Sequence, residues 1–207
     1  MVRGWGIWDG AQTLVPITQS SLIDHVRNRD PAAWGKLVDL YGPLIAYWCG
    51  QCGMDTHATA DCTQDVFAAV SRAIDVFRPA NSTGSFRVWL WTITANKIKD
   101  RARKESRNVL GTGGSTAMRR LNEIPDQLSV PDDEPTKEAQ VNELVARGLG
   151  QIRSEFADKT WQIFQRSVID DQTTAQVAQE FGVSPATVRQ SRSRILRRLR
   201  QHLGDIE

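Results

Sequence analysis

Three residues near the C-terminal end, Ala178, Gly182 and Val188, constrain this chain more than any others. A small residue, a glycine four later and an apolar residue six after that describe two helices meeting at a sharp corner. The alanine lets the helices approach closely. The glycine tolerates the left-handed backbone that such a corner demands. Thr173 and Gln176 have the spacing of a capping box for the first helix, and Val183 plugs the inside of the corner. Ser184 and Pro185 supply an N-cap and a first-position proline for the second helix. Val188, Ile195 and Leu199, extended by Leu203, then form its inward stripe. The pattern is a helix-turn-helix.

The outer face of that second helix is one-sidedly basic. Six arginines (Arg189, Arg192, Arg194, Arg197, Arg198, Arg200) stand between Ser184 and Leu203, with no acidic residue among them. With the inward stripe set, Thr187, Arg189, Gln190, Ser193 and Arg194 project outward near the helix start. Arginine and glutamine there can make bidentate contacts to base edges in a major groove. Arg197, Arg198 and Arg200 are placed further along, for phosphates. A merely solvated helix usually mixes charge signs, so duplex DNA is the expected partner.

The rest of the chain is also read as helical, and no alternating strand stands out in it. The expected class is all-α, as two small helical domains joined by a flexible acidic linker. Residues 1–18 read as a tail and 19–106 as the first domain. Residues 107–135 read as the linker, because Gly, Ser, Pro and Asp dominate there (GTGGST, then SVPDDEPT). Residues 136–207 read as the second domain. Within the first, a helix is expected from Ser21 to about Asn28. Another starts at Asp30-Pro31 and is interrupted at Gly42-Pro43, a third covers about 59–76, and a fourth is capped by Ser85. Net charge is only +2, but the charge is segregated: six basic against two acidic residues in 97–107, then seven acidic against one lysine in 122–143. Two basic patches around an acidic spacer point to a polyanion touched at two places. Phe86, Trp89 and Trp91, just before the first patch, can stack on unpaired bases or fill a core.

No apolar run approaches the roughly 18 to 20 residues that span a bilayer, and the N-terminus lacks a signal-peptide pattern. No membrane insertion and a cytoplasmic location are therefore expected, and three cysteines, an odd number, fit a reducing compartment. Cys49, Cys52, His57 and Cys62 have the spacing of a zinc knuckle. Against it, Thr56 stands where the knuckle carries a glycine, and Cys62 falls inside an expected helix. No metal and no cofactor are assigned. His25 and His202 read as surface or helix-end residues. No nucleophile–base constellation appears, so an enzyme is not expected.

Three passages together resemble the extracytoplasmic-function sigma factors of the sigma-70 superfamily. DCTQDVF (Asp61–Phe67) is similar to that family's D-x-x-Q-E/D-V-F segment. FRVWLWTITANKIKDRARKESR (Phe86–Arg107) matches its F-x-x-W-L-x-x-I-x-x-N-x-x-x-D-x-x-R-K pattern, and the helix-turn-helix ends in TVRQSRSRILRRL. The chain departs from the family at Ile152-Arg153, Ala186 and Asp171-Gln172. The resemblance implies that Asp61, Gln64, Asp65 and Phe67 dock on core RNA polymerase. It implies that Asn81, Phe86, Trp89, Asn96, Lys97, Arg101 and Arg103 handle a minus-ten element. It further implies that the last helix, through Pro185, Thr187, Arg189, Gln190, Ser193, Arg194 and Arg197, reads a minus-thirty-five element in promoter DNA. An anti-sigma factor is a further partner the resemblance allows. Two other readings are open from the residues alone: a stand-alone helix-turn-helix repressor or response-regulator output domain with an N-terminal sensor, and a zinc-knuckle RNA binder.

Overall fold

The computed structural model of the chain describes residues 21–78, 86–111, 131 and 133–204. Asn81, the cap expected at Ser85, the tail and most of the linker lie outside them. Helix α1 (Leu22–Arg27) starts from a capping box between Ser21 and Asp24. Helix α2 (Pro31–Gln51) is capped by the Asp30 carboxylate on the Ala32 N–H, and α3 (Thr56–Ala73) by Asp55 on Ala58. Helix α4 spans Phe86–Gly111. In the C-terminal half, α5 (Glu138–Ile152) is followed by a 3-10 turn, Arg153–Glu155. Helix α6 (Asp158–Phe164) then runs into a π-helical turn at Gln165–Ile169. Helices α7 (Thr174–Phe181) and α8 (Pro185–His202) complete the chain.

Two expectations about these elements need correction. Gly42-Pro43 does not interrupt α2, which runs through Pro43 unbroken. Proline removes one backbone donor and crowds the preceding turn. Here Pro43 and Asp39 both face solvent, while Leu40, Tyr41, Leu44 and Ile45 on the opposite side are buried. Packing of that side holds the helix through the defect. The third helix also starts three residues earlier than expected, at Thr56, because Asp55 rather than a later residue provides the cap.

Helices α2, α3 and α4 pack around an aromatic centre. Phe86 stands edge-on to Tyr41 at 5.0 Å and to Phe77 at 5.4 Å, and Trp48 stands edge-on to Trp91 at 5.4 Å. Such edge-to-face pairs add to the area they bury. The same buried cluster takes in Leu144, Ile152, Phe156, Leu199 and Leu203 from the C-terminal half. Helix α5 lies between α2 and α8, where Gly148 lets α8 come close: a Cβ at 148 would stand 2.9 Å from Leu199 Cδ1. A second, small core of Ile163, Val177, Ala178 and Val188 holds the helix-turn-helix itself. Among the described residues, no helix is long and apolar enough to cross a membrane.

Candidate nucleic-acid interface

The corner between α7 and α8 is built as its residues require. Gly182 takes the left-handed conformation, φ 60° and ψ 43°, and the Val183 N–H donates to the Ala178 carbonyl at 3.0 Å. The capping box of Thr173 and Gln176 is present. Ser184 Oγ accepts from the Thr187 N–H at 3.1 Å, with Pro185 at the first helical position. Val188, Ile195 and Leu199 are buried, and Ser191 joins them by donating its hydroxyl to the Thr187 carbonyl at 3.0 Å.

This leaves Pro185, Arg189, Gln190, Ser193, Arg194, Arg197 and Arg200 exposed, with Thr187 half-buried at the rim. Arg189, Arg192, Ser193, Leu196, Arg197 and Arg200 line a shallow groove along the helix. Arg194 has a second commitment, lying over the Phe156 ring at 5.7 Å. Arg198 is not available for phosphates, contrary to the expectation from its position. Its side chain is 12% exposed and makes a two-point ion pair with Glu155, at 2.5 and 2.7 Å. Planar two-point pairing of this kind ties the guanidinium in place.

His202 also differs from expectation: it is 3% exposed, and its Nε2 shares a hydrogen bond of 2.7 Å with Gln151 Oε1. Burial first, then the nearby Arg198 charge, lowers its pKa from 6.5 to about 4. The unfolded chain therefore takes up a proton between pH 6.5 and pH 4 that the folded chain refuses. This contribution to stability is complete above pH 6.5 and is lost as pH falls toward 4. Lowering pH from 7 to 5 should cost about 2 kcal/mol from this group. Urea unfolding at the two pH values checks it, because His202→Gln should remove that part of the slope.

In the N-terminal half, Asp61, Gln64 and Asp65 are exposed on α3. Phe67 is not on that surface. It is 8% exposed, edge-on to Trp34 at 6.0 Å, and serves packing. Asp61 pairs with Arg101 of α4 at 3.1 Å. One cleft is lined by Asp61, Gln64, Asp65, Lys97, Asp100, Arg101 and Lys104. The acids expected to dock on a protein and two basic residues expected to meet DNA, Lys97 and Arg101, thus face each other across α3 and α4.

On α4, Phe86 is fully buried and cannot meet a base in this conformation. It is a core residue because three aromatic rings close over it. Trp89 is half-buried, its ring 4.9 Å from that of Phe77. Asn96 and Arg103 are exposed, and Lys97 and Arg101 are half-buried. Val88, Thr92 and Lys99 share the exposed side with Asn96 and Arg103, and Val88 is 41% exposed. Val88 and Thr92 were not singled out from the sequence. Val88, Thr92 and Asn96 follow one another at intervals of four residues, and that spacing is the signal that marks them.

Cys49, Cys52 and Cys62 are all buried, while His57 is exposed. Cys49 hydrogen-bonds to Cys62, which together with burial pushes the Cys49 thiol far up and keeps it protonated. Among the described residues, no group of three or more His, Cys, Asp or Glu is arranged to hold a metal ion. The zinc-knuckle spacing does not become a knuckle, because its cysteines face the core and its histidine faces water.

Comparison with known proteins places this geometry. Residues 37–108 match the model of sigma-70 region 2, and residues 155–201 match that of sigma-70 region 4. The chain belongs to the sigma-70 family, as an extracytoplasmic-function (ECF) sigma factor. It is 28% identical to the ECF RNA polymerase sigma factor RpoE of Cereibacter sphaeroides over 183 residues, 87% of this chain and 90% of that protein. It is 25% identical to SigW of Bacillus subtilis over 190 residues, covering 89% and 96% of the two chains. It is 31% identical to SigL of Mycobacterium tuberculosis over 133 residues, 64% of each. Region 2 takes in most of α2, all of α3 and most of α4, and region 4 takes in α6 and the helix-turn-helix, in the order the sequence motifs follow.

Proposed function

We propose that this sigma factor binds core RNA polymerase in the cytoplasm and directs initiation at promoters carrying two elements. The observation that carries the reading is the acid-free outer face of α8, presented by the Gly182 corner, in a chain that also has region 2. Arg189, Gln190, Ser193 and Arg194 meet base edges of the minus-thirty-five element, helped by Pro185 and Thr187 at the helix start. Arg197 and Arg200 meet phosphates. Residues 19–106 work at the minus-ten element through Asn81, Trp89, Asn96, Lys97, Arg101 and Arg103. Val88 and Thr92 add exposed surface beside Asn96. Asp61, Gln64 and Asp65 dock on the polymerase. Residues 107–135 tether this unit to residues 136–207. The chain supplies no catalysis, and an anti-sigma factor is the class of protein that would hold it inactive.

Transcription in vitro, with core polymerase plus this chain on a promoter library, tests the reading. Start sites that depend on the chain are the expected result, and their absence contradicts it. A finer outcome separates phosphate from base contacts. Arg200→Ala should weaken binding to all sequences alike and reduce the slope of log K against log salt by about 0.9. Fluorescence anisotropy at several salt concentrations measures both.

A further inference from the structure

Helix α3 ends at Ala73, and the carbonyls of its last turn need donors from outside the helix. Two arginines at the end of α1 supply some of them. Arg29 Nη1 donates to the Ser71 carbonyl at 2.9 Å, and its Nη2 pairs with Asp75 at 2.7 Å. Arg27 is used more fully, at all three nitrogens. Its Nε donates to the Ile74 carbonyl at 3.2 Å, its Nη2 to the Phe77 carbonyl, and its Nη1 to Asp24 Oδ1 at 3.0 Å. Asp24 is in turn fixed by the capping box with Ser21. A planar guanidinium held at three points keeps one orientation, which a lysine cannot copy.

The same guanidinium lies 6.0 Å from the centre of the Phe77 ring. It therefore holds both the backbone and the side chain of Phe77. That ring is 4% exposed, and the Trp89 ring rests against it at 4.9 Å. Trp89 is half-buried, so part of its indole is packed and part is open to a partner. Stacking on a ring depends on offset and tilt. A shift of Phe77 is thus felt at the open side of the indole. Arg27 lies outside residues 37–108, the span that matches region 2, so the family pattern does not name it.

We infer that Arg27 is a positioning residue for the downstream element: by holding Phe77, it sets the place of the Trp89 indole that stacks on an unpaired base. This rests on the two-element reading above. Arg27 itself meets no base. Its effect passes through Phe77 to Trp89, and removing Trp89 removes the effect.

The test uses holoenzyme assembled from core polymerase and the full chain, on a promoter selected from the library. One probe carries the upstream duplex alone, and the other continues into the unpaired downstream strand. The ratio of their affinities is the gain from the downstream element. Trp89→Leu should lower that gain about tenfold, within the range of one base–aromatic stack. Arg27→Ala should lower it at least about fivefold by misplacing the same stack. In the Trp89→Leu background, Arg27→Ala should change the gain by no more than about twofold, because coupled residues do not add. Arg29→Asn is the contrast. Asparagine accepts the φ of 60° at that position, and Arg29 binds Ser71 and Asp75 rather than Phe77. It should leave the gain within about twofold of wild type. Should circular dichroism show that Arg27→Ala has lost helix, Arg27→Lys replaces it, with a loss in the same direction expected. An unchanged gain, an equal loss in Arg29→Asn, or independent losses from Arg27 and Trp89 overturns the positioning role and leaves the sigma-factor reading intact. A wild-type holoenzyme that gains nothing from the downstream strand overturns the two-element reading as well.

Discussion

Replacing Phe86 with alanine should lower the unfolding free energy by about 3–5 kcal/mol, the usual cost of emptying a buried aromatic site. The melting temperature should fall by roughly 10 °C for a chain of this size. The expectation follows from complete burial of Phe86 and from the Tyr41 and Phe77 rings against it. Calorimetry measures the shift. Asn96→Ala is the informative contrast, because Asn96 is exposed on the same helix. It should leave the melting temperature within a degree or two while weakening promoter use. A Phe86→Ala protein as stable as the wild type would mean that the ring is free to meet DNA, and the assignment to the core would be wrong.

The second large effect belongs to the recognition helix. Arg189→Ala should reduce transcription from promoters with an intact upstream element by about ten- to a hundredfold, the range for losing a bidentate base contact. Promoters with that element scrambled should be nearly indifferent. Arg189 is suited to this role because it is exposed in the first turns of α8 and lines the basic groove. Run-off transcription on matched templates checks it. Equal losses on intact and scrambled templates would make Arg189 a phosphate contact. Arg194→Ala should act in the same direction and less strongly, since part of its interaction is with the Phe156 ring.

Much of the interface was legible because it depends on neighbours in the chain. Ser184 caps, Pro185 starts, Gly182 turns, and the 3.6-residue period then decides which arginines face out. The role of Arg198 is not legible in the sequence, for the converse reason. Its partner Glu155 lies 43 residues away, and spacing along α8 carries no trace of it. His202 likewise acquired its burial from α5. Phe67 and Phe86 belong to segments that mark the family, yet their side chains turn to the core. A pattern match names positions without saying which side of the helix meets the partner. At Pro43 the local cost of a proline points to a break, and the packing of Tyr41, Leu44 and Ile45 outweighs it.

From its residues alone the chain determined most of its helices, the caps at Asp30, Thr173 and Ser184, the sharp corner at Gly182 and the acid-free side of the last helix, since each arises within a few residues of covalent connection. Tertiary structure alone decided which aromatic rings are hidden and which arginine is spent on Glu155. It also decided that the two halves meet through Tyr41, Leu203 and Gly204. Those outcomes depend on close packing between segments far apart in the chain, where a fit of a few tenths of an ångström determines what can touch.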